Sequence, residues 1–84
     1  MKRAILGLAF AITALQPAWA DRSPTPAERA RIEATLFVAG FKSWEDIELD
    51  DGAWTVDDAV YVDGRAFDLK LDPLTFAIVE MDLE

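Results

Sequence analysis

Three acidic spots, Asp50-Asp51-Gly52, Asp57-Asp58 and Asp63-Gly64, are the residues in this sequence best placed to do chemistry. Paired carboxylates can share a proton, as in glycoside hydrolysis, or gather a divalent cation. Acid–base work needs a cleft that raises one pKa, and a domain this small has no obvious one to spare. A calcium loop needs oxygen ligands at alternating positions around one glycine, closed by a further carboxylate. Counted from Asp50, Asp57 or Asp58, the D-x-[DN]-x-[DN]-G spacing is not met. Two readings stay open for these acids: a weak divalent-cation site at the end of a sheet, or solvated turns in which Asp suits the turn geometry. The 84 residues include no histidine and no cysteine. Ser–His and Cys–His catalysis, zinc cages and disulfides therefore all lack their essential groups. No catalytic residue, cofactor or metal ligand is expected, and the chain is not expected to be an enzyme.

Charge narrows the partners. Lys2 and Arg3 are two of the eight basic residues, which leaves six against sixteen acids from Asp21 onward, a net charge of −10. Nucleic acid and anionic membrane surfaces repel such a chain. The charge can serve solubility, or it can steer a basic partner in a salt-dependent way. A 52% hydrophobic fraction argues against disorder.

The elements that must position these residues follow from the pattern along the chain. Met1-Lys2-Arg3 is a positive start, Ala4 to Leu15 carries no charge, and Ala18-Trp19-Ala20 places small residues before Asp21. This is the pattern of a cleaved secretory signal peptide over residues 1–20, too short in its apolar run to span a bilayer. The expected location is periplasmic or secreted in a bacterium, with no stable membrane anchor after cleavage. Residues 21–24 read as a linker and 25–84 as one domain, expected to be a monomer.

Thr25-Pro26-Ala27-Glu28 reads as a capped helix start, and Ile32, Leu36 and Ala39 recur at helical spacing up to the stop at Gly40. Strand and turn follow. Ile47 and Leu49 alternate with acids, Asp51-Gly52 and Asp63-Gly64 are tight turns, and Phe67-Asp68-Leu69-Lys70-Leu71 has a clean period of two. Asp72-Pro73-Leu74-Thr75 turns the chain into a last strand around 76–81. The expected fold is α+β, with one N-terminal helix packed on a three- to four-stranded antiparallel meander. Ile47, Leu49, Trp54, Val56, Phe67, Leu69, Leu71 and Ile78 fall on its covered face. The alternation slips at Asp57-Asp58-Ala59, which predicts a bulge.

Candidate partner contacts are Trp44, Asp57, Asp58, Tyr61 and Phe76. Trp44 either packs over the sheet edge or stands exposed. Tyr61, between Val60 and Val62, either folds back on the core or marks an open edge that adds a strand to a partner.

Helix, Gly40-Phe41, Ile47-Glu48-Leu49-Asp50-Asp51-Gly52, Trp54-Thr55-Val56, Asp63-Gly64 and Phe67-Asp68-Leu69-Lys70-Leu71-Asp72-Pro73 come in an order that resembles the PepSY family over residues 25–79. That family occurs in propeptides of thermolysin-type peptidases and as small exported proteins. The resemblance implies a non-catalytic module that inhibits or modulates a peptidase or another envelope protein. A divalent-cation-responsive acidic envelope protein is the alternative. Phe76 departs from the pattern, because the family usually has glycine after the Asp-Pro-x-Thr turn. Were positive φ needed there, a non-glycine residue would be disfavoured. The last turn is therefore expected to differ and Phe76 to be a surface or partner contact.

Overall fold

Local chemistry sets both ends of the helix. In the computed structural model, which describes residues 21–84, helix α1 spans Pro26–Ala39. The expected signal peptide, 1–20, lies outside the described residues. The Glu28 amide donates to Thr25 Oγ1 and the Thr25 amide to Glu28 Oε1, so two free amides at the start are satisfied. At the other end Gly40 takes φ 104° and its amide donates to the Phe37 carbonyl.

Five strands follow: β1 (Phe41–Ser43), β2 (Asp46–Asp50), β3 (Ala53–Tyr61), β4 (Ala66–Leu71) and β5 (Ile78–Leu83). All pairings are antiparallel. The count exceeds the expected three or four because the chain leaving Gly40 pairs at once. β1 takes the far end of the nine-residue β3 while β2 takes its near end. These two short strands lie along one edge, so the sheet runs β1 and β2, then β3, β4 and β5.

The slip at Asp57-Asp58 is a bulge. Val56 pairs with Leu69 and Ala59 with Phe67, so two β3 residues oppose Asp68 alone. Asp58 sits there at φ 51°, a conformation that Asp tolerates better than most side chains. The extra residue resets the alternation, which buries Ala59 and turns Tyr61 toward the covered face, where its ring meets Phe41 edge-on at 5.2 Å. Without it the run Val60-Tyr61-Val62 would present the opposite residues to the core.

The core joins Ile32 and Leu36 of the helix to Phe41, Ile47, Leu49, Trp54, Val56, Ala59, Phe67, Leu69, Leu71 and Phe76. Seven of the eight residues assigned to the covered face from sequence are buried, and Ile78 is half-buried against them. Ahead of the helix, Arg22 exchanges two backbone hydrogen bonds with Leu49, at 3.1 and 2.8 Å, on the outer side of β2. Its guanidinium grips both oxygens of Glu28, at 2.7 and 2.9 Å, and so ties the entering chain to the helix cap.

Candidate partner-binding surface

The sequence-derived contact residues do not form one site. Trp44 is half-buried, packs against the core and donates its indole N–H to Glu33 on the helix at 3.3 Å. Tyr61 is also half-buried; a Cβ on Gly40 would come within 2.6 Å of its ring. Asp57 is exposed and Asp58 half-buried at the bulge.

Phe76 requires a correction. It adopts φ 65°, so the turn keeps the left-handed backbone although the residue is not glycine. Its ring is only 8% exposed and stacks against Trp54 at 6.5 Å, with the Arg31 guanidinium 4.3 Å from the ring centre. Phe76 is a core residue, not a surface contact. Burial of the ring offsets the backbone strain, which for a bulky side chain is of order 1–2 kcal/mol.

The exposed apolar surface lies elsewhere. Helix α1 buries only Ile32 and Leu36, and its last turn leaves Phe37 and Val38 in solvent. On β5, Met81 pairs with Leu69 and Leu83 with Phe67, which puts both on the same face as the core. Yet Met81 is 49% and Leu83 60% exposed, because no other described element covers that end of the sheet. Between the helix end and β5 runs an apolar groove of about 260 Å³ lined by Ala39, Phe41, Tyr61, Phe67, Ile78 and Met81, with Arg65 at its rim. A shallower hollow bounded by Val38 and Ile78 continues it along the helix.

The opposite face of the same strands is acidic. Glu80, Asp82, Asp68 and Asp57 gather there around Lys70, which reaches Glu80 at 3.9 Å. At the bulge, one carboxylate oxygen each of Asp58, Asp68 and Glu84 lie within 4.8 Å of one another. Hydrogen bonding to Asp58 and then to Asp68 pushes the Glu84 carboxyl up to about 7. Loss of some hydration, then the charge of Asp68, raises Asp57 as well. At the far end, the hydrogen bond from Arg22 holds Glu28 down at about 2.

Sequence reading missed Met81, Leu83 and Glu84 as members of these surfaces. Alternation of apolar and acidic side chains through Ile78-Val79-Glu80-Met81-Asp82-Leu83 was the available signal. It carried no information on whether the helix reaches far enough to cover the apolar half. Among the described residues no helix is long and apolar enough to cross a membrane.

A family model described as peptidase propeptide and YPEB domain matches residues 3–82, nearly the whole chain. No curated protein and no solved structure matches the chain.

Proposed function

The chain belongs to the peptidase propeptide and YPEB domain family, and from that premise we propose that it is an exported, non-catalytic binding module that modulates a peptidase or another cell-envelope protein by surface contact. The observation that carries this reading is the apolar groove beside β5, in a domain whose family is described as peptidase propeptide and YPEB domain. Exposed, contiguous apolar surface rimmed by charge is what a docking module needs and what an isolated domain avoids. A sequence without histidine or cysteine supplies no common nucleophile–base pair, which supports a role in binding over catalysis.

The test is capture from a bacterial envelope extract at low and high salt, followed by an activity assay on what is retained. Wild-type chain should hold one protein that Asp68→Lys/Asp82→Lys chain loses. If that protein is a peptidase, the chain should inhibit it saturably. Retention of nothing at either salt concentration removes this reading.

One arrangement favours a second reading, a divalent-cation-responsive protein: the convergence of Asp58, Asp68 and Glu84. It would show as calcium-dependent melting, since a ligand that binds only the folded state raises Tm.

A further inference from the structure

The two edges of the sheet are not equivalent. The β1–β2 edge is split into two short strands, and the Arg22 backbone already bonds to Leu49 on it. β5 is a single strand of six residues that, among the described residues, pairs with β4 on one side only. Glu84 donates its amide to the Ala66 carbonyl, so by antiparallel alternation Asp82 and Glu80 also bond toward β4. Met81 and Leu83 then direct their N–H and C=O groups outward. Proteins blunt such an edge with charged side chains, bulges, proline, a covering loop or inward-pointing charge. β5 has the acids Glu80 and Asp82 and a register shift near Ile78, but no proline and no inward-pointing charge. Within β5 the side chains on the covered face are apolar instead.

Two faces flank this open edge. On one, Ile78 and Met81 line the groove toward the helix and Leu83 follows on the same face; on the other, Glu80, Asp82 and Asp68 form an acidic strip around Lys70, which pairs with Glu80. From this juxtaposition we infer that β5 is a docking edge for an extended partner segment in which apolar residues alternate with Lys or Arg. Main-chain bonds to Met81 and Leu83 extend the sheet, the partner's apolar side chains enter the groove, and its cations lie over the acidic strip. A second copy of this chain is a poor occupant. Two β5 strands paired antiparallel about a two-fold axis bring like faces together, setting Glu80 and Asp82 against the same acids of the other copy. The inference rests on the binding-module reading and names the segment of partner that the module would hold.

The probe is a blocked octapeptide of alternating Lys and Val, compared with its Glu–Val counterpart and with a block peptide of four Lys followed by four Val. Each is titrated into isotopically labelled full-length chain at low salt. The Lys–Val peptide should shift the Met81 and Leu83 amides, slow their hydrogen exchange at least tenfold, and weaken severalfold on raising salt from 50 to 300 mM. The other two peptides should do neither. Met81→Pro removes an outward N–H without touching a bond to β4, so it should abolish binding while the melting transition persists. Asp68→Lys/Asp82→Lys should lose the Lys–Val peptide and gain the Glu–Val one, a reversal that a merely unfolded variant cannot produce. Equal binding of all three peptides, or shifts confined to other strands, overturns the inference, as does a symmetric dimer through β5. If the Lys–Val peptide leaves β5 unperturbed but the chain still captures an envelope protein, the docking edge is wrong and the module reading survives. If the peptide docks on β5 and the extract yields no partner, the module reading is the one that falls.

Discussion

At the scale of single residues, Phe76 and Asp58 show opposite solutions to a left-handed backbone. Asp58 has a short polar side chain, and its amide donates to Asp68 Oδ1 at 3.3 Å across the bulge. Phe76 has a large ring that gains by burial more than its backbone loses. Phe76→Gly should therefore destabilise the domain even though it relieves strain: about 3–5 kcal/mol of core burial is lost against about 1–2 kcal/mol regained, for a net loss of about 1–4 kcal/mol in denaturant unfolding. A gain in stability would mean the ring contributes little to the core. Asp58→Asn keeps the tolerance for positive φ and removes one of the acids that raise Glu84. In an NMR titration of that variant the Glu84 carboxyl should titrate below 7, toward its ordinary 4.5.

Among the elements, the junction of α1 and β1 turns on Gly40. Its φ of 104° suits glycine, and the space a Cβ would take belongs to the Tyr61 ring. Gly40→Ala should cost about 1–2 kcal/mol from the backbone alone, with a further cost for moving the ring. In a Tyr61→Ala background that further cost should vanish, a coupling that a double-mutant cycle reads directly. The turn between β4 and β5 depends on Asp72, whose Oδ1 accepts from the amides of Leu74 and Thr75 at 2.8 and 2.9 Å. These backbone bonds lower its pKa. Asp72→Ala should lower the melting temperature by several degrees, corresponding to about 1 kcal/mol in a domain of this size.

For the whole molecule, the opposed carboxyl shifts predict a stability maximum in mild acid. Glu84 is raised from 4.5 to about 7, so the folded chain holds its proton more tightly. That contribution is complete below pH 4.5 and is lost as pH rises through 7. Glu28 is lowered from 4.5 to about 2; its contribution is complete above 4.5 and is lost as pH falls toward 2. Thermal melting should peak near pH 4–5 and fall on both sides. Asp58→Asn should flatten the alkaline limb. Glu28→Gln, which can keep the cap hydrogen bond, should flatten the acid limb.

Much of the fold was legible because its signals are local. Thr25 and Glu28 are three residues apart and cap each other, so the helix bounds follow from the sequence alone. The covered face was legible from a period of two, and the bulge from the place where that period fails at Asp57-Asp58. Net charge and the absence of histidine and cysteine bounded the chemistry for the same reason: they need no coordinates. What the chain order could not supply was distance between parts. The pairing of Phe41–Ser43 with β3 depends on how the chain leaves Gly40, and the burial of Phe76 on where Trp54 ends up. Whether the apolar half of β5 is covered depends on the path of the helix across the sheet. Met81 and Leu83 carry the alternation of an ordinary buried strand, and only the tertiary structure leaves them at an open edge.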